Sequence, residues 1–367
     1  MSSRRFFDTH PAIFRIAKTS RPAARLAIFL RSISRQPASS QKRRVFRDRA
    51  NVLLDDELKF EKWVHPDRAP ANDRSVRFPR EGSIECAKAP PRLRVAVACH
   101  LYHVNLIDEV LACIANIPTD FDLLVSTDTP VKKSKIEAAL PSCSASHTVV
   151  RVFPNVGRDI ASKLICFKDL LGKYDLILFI HGKRSSFSSK LGGWRQYLFD
   201  ALCGSKDRVK SILAAFEDIP ELGMIAPQHY PLLGCVGWRE NLQISDDLSN
   251  RLLGERYAFN YLDFPSGSMF WCRPAALKPL LDLDLKIEDF PAERGQIDGT
   301  LAHAIERFFF VSCELAGFHW IKIAGASPQT PTTQASSEAA SEVIDVRSTG
   351  ELQQVLQRPG GRVIAKR

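Results

Sequence analysis

The chain has no apolar run near the roughly 18 residues that a membrane-spanning helix requires, and its start lacks the uninterrupted apolar core of a secretory signal. It has no C-x-x-C pair and no histidine spacing suited to zinc, although nine cysteines are scattered from Cys86 to Cys313. An odd, dispersed set in contexts such as V-A-V-A-C-H reads as reduced, buried thiols, which points to a reducing cytoplasm rather than a secreted protein. Acid is scarce at one end only. Residues 1–50 hold 13 Lys and Arg against Asp8 and Asp48, whereas residues 51–367 carry 38 basic and 39 acidic side chains. The net charge of +10 thus belongs to an arm, and the near-neutral remainder argues against nucleic acid as a partner.

What is present is ordinary for a globular protein: 45% hydrophobic and 25% charged residues in a chain of 367, enough for one main domain with extensions. Residues 1–92 read as a basic arm and linker. Within them Leu26, Phe29, Leu30 and Ile33 fall at helical spacing among Arg21, Arg25, Arg31 and Arg35. That pattern suits a basic amphipathic helix on an anionic membrane surface and equally a solvated arm; its Arg-rich, acid-poor character also resembles a transit peptide. Residues 326–367 begin with a Ser, Thr, Ala, Gln and Pro-rich stretch and read as a flexible tail.

Between them, residues 93–325 show strand-like runs at 92–100, 121–127, 148–153 and 174–181, separated by helical patterns at 106–114, 132–140 and 160–171. This alternation predicts an α/β domain with a mostly parallel sheet flanked by helices. Ligands in such sheets sit beyond the carboxyl ends of the strands. The first strand ends at His100, followed by Tyr102 and His103, the third at P-N-V-G-R-D (154–159), and the fourth at H-G-K-R-S-S (181–186). Further helices are expected at 194–202 and 209–216 and a buried strand at 222–227, whereas 234–256 shows no clear period and is read as part of a cleft or lid.

The most informative segment is F-P-S-G-S-M-F-W-C-R at 264–273, followed by E-R-G-Q-I-D-G-T-L-A-H-A-I-E-R at 293–307. The glycine lets backbone approach a ligand, Met269, Phe270 and Trp271 offer an apolar wall for a sugar ring, and the later run supplies carboxylates. A transferase that displaces a nucleoside diphosphate needs such a base beside such a wall.

These motifs, taken in order with N-V-G-R-D-I, H-G-K-R-S and W-R-x-x-L over about 94–323, resemble the rhamnan synthesis F family of bacterial polysaccharide assembly. The resemblance implies a nucleotide-sugar transferase domain of GT-A type with dTDP-L-rhamnose as donor. It does not identify the acceptor, expected to be a glycan or lipid-linked glycan; the location expected from the cysteines and the basic arm is the cytoplasm, with peripheral contact at the inner face of the cell membrane through residues 1–50. In many GT-A enzymes a loop like N-V-G-R-D precedes a strand whose end carries an Asp-X-Asp metal ligand. Here that place holds His181, Gly182, Lys183 and Arg184, a poor set for a hard cation. Transfer without a divalent metal or other cofactor is therefore expected, with Lys183 and Arg184 neutralising the diphosphate.

The donor candidates are Asn155, Gly157, Arg158, Asp159, His181, Lys183 and Arg184; a tight turn accounts equally well for Asn155 and Gly157, and an Arg–Asp bridge for the next two. The acceptor candidates are Gly267, Ser268, Met269, Trp271 and His303, the last being also a candidate packed histidine. For the base the choice lies among Glu293, Asp298 and Glu306. With a helix expected at 297–310, Asp298 stands at its first turn and resembles the base of inverting GT-A enzymes, with Glu293 as runner-up and helix capping as the competing use. A non-catalytic carbohydrate-binding or assembly protein of the same fold would need neither Asp298 nor Lys183. A phosphate-transfer enzyme would need acidic metal ligands at the strand ends.

Overall fold

The computed structural model describes residues 75–79, 82–86, 93–182, 193–230, 238–254, 262–296, 298–324 and 343–358. Nine strands form one sheet: β1 (Ser75–Arg77), β2 (Val95–His100), β3 (Phe121–Thr127), β4 (His147–Val152), β5 (Leu176–His181), β6 (Leu222–Pro227), β7 (Phe270–Cys272), β8 (His319–Ile323) and β9 (Ile344–Asp345). Their order is β4-β3-β2-β5-β7-β6-β8-β1-β9. Every pairing is parallel except those of β7, which runs antiparallel to both β5 and β6.

Strands β2, β5 and β6 are buried at every position, as continuous apolar runs are when helices cover both faces. Val95, Val97 and Cys99 of β2 enter one core with residues of α1 (Ile107–Ile114), α2 (Pro130–Ala139), α5 (Trp194–Cys203), α6 (Lys206–Asp218) and α10 (Thr349–Gln357). Ala96 and Ala98 face the other core, built with α3 (Arg158–Ala161), α4 (Lys168–Leu171), α7 (Leu242–Leu253), α8 (Lys278–Asp282) and α9 (Leu301–Leu315). The expected parallel α/β architecture is therefore present, and helix α7 occupies part of the stretch that showed no period.

Several expectations need correction. The apolar wall is not a surface: Met269, Phe270 and Trp271 are 0% exposed, because β7 inserts between two central strands, and the Trp271 Nε1–H donates to the Leu202 carbonyl at 3.0 Å. Helix α9 starts at Leu301 rather than 297, since Gly299 takes φ +75° and Thr300 is extended at the N-cap. Asp298 thus lies in the loop before the helix and caps nothing in it.

The sheet also recruits residues outside 93–325. Strand β1 pairs with β8 and with β9, Phe78 and Ile84 are buried, and Leu352, Val355 and Leu356 of α10 pack into the first core. Parts of the presumed linker and tail are core: β1 extends the sheet beside β8, and the tail helix α10 packs on α6. Cys113 and Cys203 form a disulfide between α1 and α5, contrary to the expectation of reduced thiols throughout, whereas Cys99, Cys166, Cys272 and Cys313 are buried thiols outside any disulfide. The basic segment 1–50 and the tail's polar stretch 326–342 lie outside the described residues.

Candidate active site

The chain runs β2, β3, β4 toward one side of the sheet and then returns to place β5 on the other side of β2, so the strand order reverses between β2 and β5. Such a switch point opens a place for ligands at the carboxyl ends. His100 and His181, the last residues of β2 and β5, are register partners across it. Since β7 is antiparallel, its preceding loop, Ser266 to Ser268, also arrives at this edge.

Beneath the edge lies a buried polar layer. The His100 Nδ1 pairs with Ser126 Oγ at 2.9 Å, and Ser126 Oγ with Ser162 Oγ at 2.5 Å. Ser162 and Lys163 open a π-helical turn, Ser162–Cys166, between α3 and α4. Lys163 donates to Asp159 Oδ2 at 2.5 Å, and His181 stands 3.7 Å from that same oxygen. Burial by itself would raise the Asp159 pKa, but His181 and Lys163 facing it hold the carboxyl well below the usual range. Burial depresses the His100 imidazole to about 4. The expected donor contacts Asp159 and His181 are thus engaged inside the protein: Asp159 pairs with Lys163 rather than Arg158, and the His181 Nε2–H donates to the Gly267 carbonyl at 2.7 Å.

Gly157 serves the turn. It takes φ +67°, and a Cβ there would meet Phe290 Cδ1 at 2.5 Å. Asn155 is half-buried in the same loop. Arg158 follows at φ +55°, a conformation L-residues seldom adopt, and faces away from Asp159. Its Nε lies 3.2 Å from Glu293 Oε2, its Nη1 3.1 Å from His303 Nε2, and its Nη2 donates to the Gln296 carbonyl. A guanidinium only donates, so His303 Nε2 accepts and His303 Nδ1 carries the proton that goes to Thr300 Oγ1 at 2.7 Å. Burial lowers the His303 pKa, consistent with that neutral tautomer. The structure therefore joins N-V-G-R-D to E-R-G-Q-I-D, with Glu293 committed to Arg158.

The carboxylates of 298 and 306 flank a third cation. Glu306 Oε1 accepts from Gly267 N at 2.9 Å and Ser268 Oγ at 3.1 Å, so it holds the loop. Arg307, 7% exposed in its side chain, reaches Glu306 Oε2 and Asp298 Oδ1, each at 3.7 Å. Asp298 Oδ1 accepts from Asn241 Nδ2 at 2.6 Å. Its Oδ2 is buried with no hydrogen-bond partner, whereas buried carboxylate oxygens are almost always satisfied. Among the described candidate carboxylates, Asp298 has a buried oxygen without a hydrogen-bond partner; Lys183 and Arg184 lie outside the described residues.

A further network follows along the edge. Asp263 Oδ1 meets His229 Nε2 at 3.0 Å, Asp263 Oδ2 pairs with Lys322 at 2.6 Å, and His229 Nδ1 meets Ser266 Oγ at 3.0 Å. Sequence reasoning gave no role to Asp263, Lys322, Ser126, Ser162 or Lys163; it noted His229 in the loop after 222–227 and Asn241 in the stretch read as cleft or lid, and Ser266 and Arg307 lay within the quoted motifs without a role. Lys163 left a signal of its own, standing four residues after Asp159 at helical spacing.

The fold and this edge define a class first: an open, mostly parallel α/β domain whose polar loops converge at the strand-order reversal. Residues 81–314 match the model of rhamnan synthesis protein F, and the chain belongs to that family. Two curated relatives, both described as uncharacterized protein WxcX and both from strains of Xanthomonas campestris pv. campestris, are 36% identical over 215 residues. The match covers 58% of this chain but only 30% of theirs, so the chain spans a minor part of those relatives. A solved CMP:2-keto-3-deoxy-manno-octonic acid synthetase in complex with CTP aligns over 71% of this chain and 96% of its own, at 10% identity and a TM-score of 0.34. No statement about activity follows from that likeness.

Proposed function

We propose that this chain is a glycosyltransferase of GT-A type in polysaccharide biosynthesis. It moves a sugar from a nucleoside-diphosphate donor, dTDP-L-rhamnose by the family's character, to a hydroxyl of a growing cell-surface glycan. The observation that carries the reading is the buried Asp298 Oδ2, which has no hydrogen-bond partner, beside the loops in which, among the described residues, N-V-G-R-D meets E-R-G-Q-I-D. In the reaction that oxygen takes the acceptor hydroxyl's proton as the new bond forms at the sugar's anomeric carbon and the nucleoside diphosphate departs. Arg158, together with Lys183 and Arg184, offsets the charge that develops on the leaving diphosphate. Strand β5 ends in His181 where an acidic metal ligand would stand, which supports transfer without a divalent ion.

No helix of the described residues is long and apolar enough to cross a membrane. Peripheral attachment through the basic residues 1–50 is the membrane contact we propose, and deletion of those residues should weaken binding to anionic vesicles while leaving neutral ones unaffected. The activity is tested with purified protein and a panel of nucleotide sugars. Release of nucleoside diphosphate from one donor supports an enzyme; saturable donor or glycan binding with no turnover would make the chain a carbohydrate-binding or assembly protein instead.

A further inference from the structure

The Asp298 carboxylate sits in a loop, and loops hold catalytic groups only when something rigid orients them. Asn241 does this from a different part of the chain. It is 0% exposed, it closes the short helical turn Arg239–Asn241 ahead of α7, and each of its amide atoms is engaged. Its Oδ1 accepts from the Gly299 N–H at 3.1 Å. Because that partner can only donate, the amide orientation is determined, and Nδ2 must face two acceptors, the Trp238 carbonyl at 2.9 Å and Asp298 Oδ1 at 2.6 Å.

We infer that Asn241 is a positioning residue for the proposed base: by gripping Asp298 Oδ1 and the following Gly299 N–H, it fixes the carboxylate so that Oδ2 alone is presented to the acceptor hydroxyl. A neutral amide suits this task. It binds one oxygen without adding a second full positive charge to that of Arg307 at 3.7 Å, so Asp298 keeps its capacity to take a proton. The other charged or titratable groups around the loop are Glu240, whose Oε2 would lie 2.9 Å from a Cβ at Gly299, and Glu306 and His303, from the first turns of α9. None of these hydrogen-bonds Oδ2, which is buried without a partner. The anchor also explains why Gly299 is glycine: at φ +75°, pressed against Glu240, a side chain would push the loop off Asn241.

The inference rests on Asp298 being the base, and the experiment separates the two. In the full chain, Asp298→Asn, Asn241→Ala and Asn241→Asp are compared for transfer, with donor affinity measured independently and folding checked by thermal unfolding. A positioning role predicts that Asn241→Ala lowers kcat by about 10–100-fold, as a misplacement near 1 Å does, with donor and acceptor KM within about threefold of wild type. Asn241→Asp is isosteric and still able to accept from Gly299, yet it sets a carboxylate against Asp298. It should lose at least as much at pH 8 and regain activity as the pH falls and the introduced carboxyl takes a proton. If Asn241→Ala does not fold, Asn241→Asp decides. Should Asp298→Asn transfer normally, the base itself is misassigned. Should Asp298→Asn be inactive while Asn241→Asp matches wild type at every pH, the base stands and the positioning role of Asn241 is wrong.

Discussion

Lys163→Met is the sharpest test of the buried layer under the strand ends. Lys163 and Asp159 keep only 4% and 14% of their side-chain surface and are 2.5 Å apart. Removing the ammonium strands a carboxylate in low dielectric, with His181 at 3.7 Å and, more weakly, His100 as the groups still facing it. Breaking such a pair costs about 3–5 kcal/mol. Asp159 retains a little solvent contact, so the lower end, about 3 kcal/mol, is expected. The same change at a solvent-exposed pair would cost about 0–1 kcal/mol. The double variant Asp159→Asn/Lys163→Met removes both charges and should recover at least half of the loss, since the uncompensated charge and not the missing contacts dominates the penalty. Urea unfolding of the three variants and wild type, at pH 7 and fixed salt, gives the cycle. A single-variant loss below about 1 kcal/mol would refute the reasoning and return Asp159 to the solvent-facing donor site that the sequence suggested.

Other consequences follow from the same contacts. His100 stays neutral in the fold down to about pH 4, against 6.5 for the free side chain. The unfolded chain therefore binds the extra proton first, and stability falls as pH drops from 6.5 toward 4. At roughly 1.4 kcal/mol per unit the loss approaches 3 kcal/mol; a His100→Gln variant should show a shallower acid slope in urea unfolding. Gly267→Ala forces a Cβ to within 2.8 Å of Leu198 Cδ1 at φ +88°. It should cost more than 1 kcal/mol in the same assay and lower transfer by loosening the loop that His181 and Glu306 hold. Turnover should persist in excess EDTA and fall with Lys183→Ala; strict dependence on added manganese or magnesium would overturn the account of the leaving group.

Much of the architecture was legible because β2, β3, β5 and β6 are long, apolar and bounded by turn residues, and because the helices between them show a clean apolar face. Strand β7 was not. Its three residues follow a Pro-Ser-Gly-Ser loop, and nothing local distinguishes an apolar trio that fills a gap between two central strands from one that lines a sugar site. Strands β1 and β9 hide for a similar reason, since two or three residues carry no period, and the pairing of β1 with β8 and of β9 with β1 is a tertiary event.

The candidate site was legible where motif and position coincide, as at Arg158, Glu293, Asp298 and His303. It failed where partners are distant in sequence, such as Asn241 with Asp298, 57 residues apart, or His229 with Asp263 and Lys322. Asp159 and His181 were read as facing the donor because strand ends are usually open. Here Lys163, one helical turn on, and the Gly267 carbonyl claim them.

The central claim is that Asp298 takes the proton from the acceptor hydroxyl. The direct measurement is the transfer rate of Asp298→Asn, with donor binding determined in parallel. Asn keeps the size of the side chain and can offer its own carbonyl oxygen to Asn241 Nδ2, so the fold and donor affinity should be close to wild type. The loss of a positioned base should slow transfer about 10²–10⁴-fold. Glu293→Gln, which leaves Arg158 a neutral acceptor, should be milder. Normal transfer by Asp298→Asn alongside an inactive Glu293→Gln would reverse the two roles, and normal transfer by both would contradict the account of this site.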